Sequence, residues 1–465
     1  MSVTSCKHRI GLRQLLLGAV ASSAFIGAGL HTEAQAQSFS EALRLAYETN
    51  PTIDAARADL RSVDELVPQA RGGYLPSIIG DVSAGVEEIE QDTGTTTDGS
   101  INPVSATLSI SQNIYRGGQT VASINQAENT VFAQRGSLFD TEQSVLLSAA
   151  TAYFDVVLDQ AVVELNRNNE EVLERQLQAS RDRFEVGEVT RTDVSQSESR
   201  LARAVSDRIA AEGDLNISRS EFARVVGQMP EVLSQPELVL PLPEDLDQAI
   251  DIALTNNPVV VAAEFSEAAA RDGIDIEFGD LLPSVTLDAS AQTSDEPSLF
   301  TESTDTLSLT ASIRIPLYQS GVAASQVREA KQTAARARRL VDEAVRDVTD
   351  ATIAAWEELE SSRAQIVSRN AEVSSSEIAL DGVRQEALVG SRTTLDVLDA
   401  EQELLDAQVS LVTAIRDEAV ASFQLLGAIG SLSPQALEID ADIYDPTENY
   451  EQVERKIWGL SINAD

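Results

Sequence analysis

The chain has 465 residues, with 75 Asp and Glu against 34 Lys and Arg, for a net charge of −41. That balance disfavours nucleic acid as a partner, because phosphate contacts need clustered Lys and Arg. Hydrophobic residues at 43% argue against general disorder, while 4% aromatics beside abundant Ala, Leu and Val fit long, thin helical packing rather than one thick core.

Lys7, Arg9 and Arg13 precede an apolar run from Leu15 to Leu30, and Ala34-Gln35-Ala36 comes after it as an A-x-A site. Residues 1–36 therefore read as a secretory signal peptide cleaved between Ala36 and Gln37. A membrane anchor is the weaker alternative, since the run is short for a span. Cys6, His8 and His31 all lie in the removed part. The mature chain then has neither Cys nor His, which excludes a disulfide framework, a Cys/His metal site, a His general base and a Cys nucleophile. No cofactor and no metal are expected, and no later segment reads as a transmembrane helix.

The mature chain is one unit written twice. Thr49-Asn50-Pro51 recurs as Asn256-Asn257-Pro258, and Leu75-Pro76-Ser77 as Leu282-Pro283-Ser284. Tyr115-Arg116-Gly117-Gly118 recurs as Tyr318-Gln319-Ser320-Gly321. The spacing is about 207 residues at the first markers and about 203 at the last, far above solenoid periods, so a domain-scale unit is duplicated. The repeats are placed at 37–230 and 244–430, with an acidic tail at 431–465 that has no role in the duplicated pattern.

Each unit opens with two helices, Phe39–Thr49 and Thr52–Gly72, then Leu246–Thr255 and Val259–Gly279, with Asn-Pro as the stop and restart. After Leu-Pro the period changes to two. Ile78, Gly80, Val82 and Ala84 alternate with Ser77, Asp81 and Ser83, and Val104, Ala106, Leu108 and Ile110 with small polar residues. The second copy repeats this at Val285–Ala291 and Leu307–Ile315. Four strands of about ten residues result, in two hairpins with polar tips at Gln91–Ser100 and Thr293–Thr304. Length and alternation match transmembrane β-strands; a soluble sandwich strand is the alternative for any one of them. Four strands cannot close a barrel, so a bilayer reading requires oligomerisation.

Behind each hairpin a long helix is expected, Gln119–Glu185 and Val322–Val389, each roughly 100 Å long. Shorter ones come next at Thr192–Val226 and Thr394–Leu426. Heptad-spaced Ile366, Val373, Leu380 and Ala387, and Leu398, Leu405, Val412 and Ala419, predict coiled-coil packing. The joints are Val186-Gly187 and Val389-Gly390, where Gly suits a helix C-cap. Asp396 and Asp399 fall on one helical face, which would bring six carboxylates together if three copies surround an axis. A solvated helix N-terminus, where Asp is favoured by the dipole, is the plain alternative.

The duplicated unit, the paired hairpins, Pro316–Gly321 and the two turn stretches together resemble the TolC family of outer-membrane channel-tunnels, over about residues 38–430. The resemblance implies a mainly α fold with transmembrane β: two tandem repeats per chain, and a homotrimer forming a 12-stranded β-barrel continued by an α-helical periplasmic tunnel. It implies passive export across the outer membrane, for type I protein secretion or multidrug efflux, with a periplasmic adaptor and an inner-membrane ABC or proton-driven pump as partners. It assigns Asp396 and Asp399 to a ring at the periplasmic aperture, open to cation block. It assigns Thr192, Asp193 and Arg392 to a gate latch, and Val186, Gly187, Val389 and Gly390 to adaptor-facing turn tips. Ala387 departs from the pattern, standing where family members can carry a tyrosine that bonds across the gate.

The acidic balance suits a cation-preferring duct, and equally the ordinary solubility of long helices. A non-channel periplasmic coiled-coil adaptor or scaffold is the competing function, against which bilayer-length hairpins argue. A hydrolase is disfavoured by the missing His and Cys and by the lack of a nucleophile motif.

Overall fold

The computed structural model describes residues 38–92 and 96–462; the expected signal segment, with Ala36 and Gln37 at its cleavage site, lies outside the described residues. Helices α1 (Phe39–Thr49) and α2 (Pro51–Asp64) meet at Asn50, whose side chain accepts from the Thr52 amide while its own amide donates to the Val225 carbonyl at 2.9 Å. The duplication reproduces this clamp. Between α6 (Leu246–Asn256) and α7 (Pro258–Gly279), Asn257 accepts from the Val259 amide and donates to the Ala428 carbonyl at 2.9 Å. The Asn-Pro pair therefore does more than restart a helix: it fastens the start of each repeat to the end of that repeat's last helix. The helix expected at 52–72 is broken after Asp64 and resumes as α3 (Leu66–Arg71). Pro68, with no N–H to donate, permits the break.

The strands are β1 (Ser77–Ala84), β2 (Glu87–Asp92), β3 (Thr96–Ile101), β4 (Val104–Arg116), β5 (Ser284–Ser298) and β6 (Thr301–Arg314). The polar tip expected at 91–100 is instead a separate β2–β3 ribbon. Its Thr-rich segment has the β-branched propensity to pair, which turn-like composition concealed. Gly85 and Pro103 interrupt both long strands at one level, joined by Gly85 N–H to Pro103 O at 3.0 Å. In the second copy the strands run on through the expected tip to a turn at Leu299-Phe300.

The two hairpins join edge to edge as one antiparallel sheet, β1-β4-β5-β6. Its register aligns the faces. Ile78, Ile110, Ala289 and Leu309 form one row, and Gly80, Leu108, Ala291 and Leu307 another. The opposite face carries Ser83 bonded to Ser105, Ser290 bonded to Ser308, and Ser111 donating to Asp288. The apolar face is bare: Val82 is 80% and Leu307 86% exposed. A strongly exposed apolar face opposite a hydrophilic one, with β1 and β6 as open edges, is the surface of a barrel segment with lipid outside and water inside.

Gly118 and Gly321, both left-handed, start α4 (Gln119–Glu185) and α8 (Val322–Leu388), each of 67 residues. Each folds back on a shorter partner, α5 (Arg191–Val226) and α9 (Thr394–Ala428). Most of the apolar burial lies where α1, α4, α5 and α9 meet. There Phe39 sits 5.0 to 5.4 Å from Tyr153, Phe154 and Phe423, ring centre to ring centre. Contrary to the sequence expectation, α4 does contain a window long and apolar enough to cross a membrane. Its Leu146, Ala149, Ala150, Phe154 and Val156 are buried in this core, which accounts for the composition without a bilayer.

The tail, unassigned from sequence, is fastened to α2 and α4. Arg57 lies between the rings of Tyr47 and Tyr444, at 4.9 and 5.0 Å. Arg135 stacks likewise between Phe132 and Tyr450. Asn449 donates to buried Asp64 at 2.7 Å, and Arg71 donates to the Glu454 carbonyl at 3.0 Å. Buried charge needs partners, and the tail supplies several of them.

Candidate functional site at the helical turns

Both helix–helix turns are built alike because their sequences repeat. Val186 caps the end of α4, Gly187 takes φ +78, and the Glu188 amide reaches the Arg183 carbonyl. Val389 caps the end of α8, Gly390 takes φ +81, and the Ser391 amide reaches Glu386 O. A Cβ at either glycine would meet only open space, so their left-handed conformation is what demands Gly. Val186 and Val389 stand out from the tips, strongly exposed.

The next residues close two matching capping boxes. Thr190 accepts from the Asp193 amide while Asp193 accepts from the Thr190 amide and hydroxyl; Thr393 and Asp396 do the same. The backbone and hydroxyl donors of Thr393 hold the Asp396 carboxyl below the usual range, so it stays charged. The plain reading of Asp396 as a helix-start residue is thus satisfied within the protomer. Asp399, one turn on, is exposed and paired with Arg200 of α5.

Arg392 does not reach Thr192 or Asp193 in the protomer. Its guanidinium donates to Glu386 at 2.9 Å, and Thr192 is exposed on the first turn of α5. Leu398 behaves as its spacing implied: only 1% exposed, it packs with Leu173 of α4 and Ala204 of α5, beside Leu201. Leu395, one position before Asp396, is 38% exposed. Ala387 lines a cleft of about 530 Å³ between α4, α8 and α9, with Arg175, Arg183, Arg384 and Glu401 around it. Arg384 donates to Glu401 at 3.1 Å; burial pushes the Glu401 carboxyl up, and its second oxygen is buried without a partner.

Sequence reasoning missed Arg200. The tie from Arg200 to Asp399 joins the first helical hairpin to the second, near the turns and next to the Leu398 cluster. Farther up, Arg416 of α9 makes a similar tie to Asp155 of α4 at 2.6 Å. Nothing in the spacing marks Arg200, since its partner lies in the other repeat.

An amphipathic sheet with two open edges, standing on two helical hairpins whose turns gather charge, is the protomer of an outer-membrane export channel. The outer membrane efflux protein family matches this chain twice, over residues 42–228 and 249–431, and the chain belongs to that family. It is similar to the outer membrane efflux protein BepC of Brucella suis, at 33% identity over 98% of this chain and 97% of that one. It also resembles the outer membrane protein TolC of Vibrio cholerae, at 27% identity over 90% and 97% of the two chains. Among solved structures, the outer membrane protein VceC of Vibrio cholerae superposes with a TM-score of 0.73 at 20% identity, covering 84% of this chain and 96% of that one. The chain is therefore a passive channel-tunnel rather than an enzyme. It is a homotrimer in the outer membrane with its helical part in the periplasm, working with a periplasmic adaptor and an inner-membrane transporter.

Proposed function

We propose that the α4–α5 and α8–α9 turns form the periplasmic mouth of the channel, gated by charge. Asp396 supplies the aperture ring and Asp399 divides its charge between that ring and Arg200. The observation that carries this is the contrast between the two carboxylates. Asp396 is kept ionised chiefly by its cap donors, with Arg392 adding only longer-range attraction, whereas Asp399 is tied directly to Arg200. Val186, Gly187, Val389 and Gly390 are the exposed tips that an adaptor would meet. Arg392 pairs directly with exposed Glu386, a weak kind of pair, with Asp396 adding attraction at longer range. It is free to exchange that partner for Thr192 or Asp193 of a neighbouring copy, which would complete the latch between protomers. Ala387 leaves open the cleft that a bulkier side chain would bridge, so the closure within the protomer shifts to Arg200 and Asp399.

The test is multivalent-cation block in planar bilayers. A carboxylate about 4 Å from a unit charge contributes roughly 1 kcal/mol in water, and three are lost per trimer. Asp396→Ala is expected to weaken block by about a hundredfold or more on that basis, since a multivalent ion carries more than one unit charge. Asp399→Ala is expected to weaken it less, because Arg200 already offsets that charge. Equal effects of the two variants, or none, would contradict this division of roles.

A further inference from the structure

The tail ends its docking at Glu454 and then changes character. Arg455 and Lys456 are followed by Ile457-Trp458-Gly459-Leu460-Ser461-Ile462. The segment is a closed loop: Lys456 Nζ donates to the Ser461 carbonyl at 2.7 Å, and Gly459 turns the chain at φ +113. The loop presents its apolar side chains outward, with Trp458 92% and Leu460 101% exposed, and Ile457 and Ile462 nearly as bare. In so acidic a chain, an apolar loop with a cation at its neck needs an explanation.

Its place in the fold supplies one. Arg71 holds Glu454 at the end of α3, three residues before Tyr74 and six before β1. Gln112, near the end of β4 that feeds α4, donates to the Tyr74 carbonyl at 2.9 Å. The loop is therefore fastened at the level where sheet gives way to helix, the periplasmic rim of the barrel. Tyr74, Leu75, Tyr115, Leu317 and Tyr318 are exposed around the same junction. Tyr and Trp collect at membrane–water interfaces, and a Lys stem lets its ammonium stay among headgroups while neighbouring apolar groups enter the chains.

We propose that the 457–462 loop is an interfacial anchor that dips into the periplasmic leaflet of the outer membrane, extending the barrel's aromatic belt onto the tail. Trp458 and Leu460 enter the boundary between headgroups and acyl chains, and Lys456 meets lipid phosphate. The exposed aromatic and apolar residues at the same junction, with Lys456 at the loop's neck, select lipid over a second copy of the chain as the occupant.

The full-length trimer in nanodiscs tests this, comparing plain with brominated phospholipids. The difference in emission between the native protein and Trp458→Phe isolates Trp458 from Trp356. Bromines placed high on the acyl chains are expected to remove about half or more of that difference emission, as for an interfacial Trp. Bromines near the bilayer centre are expected to remove less. An unquenched difference signal that iodide in the buffer does quench would overturn the proposal by placing the loop in water. A signal immune to both quenchers, with position 458 cross-linking to a second copy, would overturn it by placing the loop under a neighbour. The proposal rests on the outer-membrane assignment, which bilayer conductance tests separately: a conducting trimer with an unquenched Trp458 sinks the anchor alone.

Discussion

Replacing Arg200 with Ala is expected to raise the resting conductance of the trimer several-fold in planar bilayers. Arg200 and Asp399 are partly solvated, and a pair of that kind contributes roughly 0.2–1 kcal/mol. A trimer holds three such ties around one mouth. If they act together, their loss shifts the closed–open balance by up to about 3 kcal/mol, more than a hundredfold in the equilibrium. The Leu173, Ala204 and Leu398 cluster stays in place beside the tie, so the hairpins remain packed when it is cut. Asp399→Ala is expected to act in the same direction, and adding it to Arg200→Ala to do little more, because both remove one interaction. The exchanged pair, Arg200→Asp with Asp399→Arg, is expected to lower the conductance again. If the single variants stay as closed as the native channel, the mouth is held elsewhere, with Arg392 the next residue to test.

The second large effect is on folding. Gly430 lies just past α9 with φ +71, and a Cβ there would stand 2.6 Å from Asn256 O and 2.7 Å from the Asn257 Cα. These are backbone atoms of the clamp that fastens the second repeat, and they cannot swing aside. The left-handed conformation alone costs a non-glycine residue about 1–3 kcal/mol. The backbone collision adds to that by forcing the Asn257 amide away from the Ala428 carbonyl. Gly430→Ala is expected to lower the midpoint of trimer unfolding sharply or to prevent assembly. Gly227→Ala at the matching place in the first repeat is expected to be milder. Its Cβ would meet only the Thr49 hydroxyl, at 3.3 Å, on a side chain that can rotate. Thermal melts of the two variants side by side check this; equal losses would mean that conformation alone decides.

Features written locally were readable in the sequence. Asn-Pro announced both helix breaks, though not the clamps built on them, the Val-Gly steps announced the turns, and Thr190 to Asp193 and Thr393 to Asp396 have the three-residue spacing of a capping box. The alternation at 77–84 and 104–111 announced a two-faced sheet. Features joining distant parts were not readable. Arg200 and Asp399 lie in different repeats, and only the packing of α5 on α9 brings them together. The tail's purpose was hidden because its partners, Arg57, Asp64, Arg71 and Arg135, look like ordinary surface charges until Tyr444, Asn449 and Tyr450 are laid on them. The first hairpin's extension was missed for a compositional reason: Thr, Asp and Gly between 93 and 99 serve a turn and a twisted ribbon equally well.

One measurement tests most directly whether three copies close a duct at Asp396. Cys6 is the only cysteine, within the expected signal segment, so Asp396→Cys places one thiol per protomer at the proposed aperture. Under mild oxidation, neighbouring protomers should become disulfide-linked and the bilayer current should fall, and a reductant should reverse both. Chains that stay unlinked under oxidation, with their current unchanged, would contradict convergence of the turns on the channel axis.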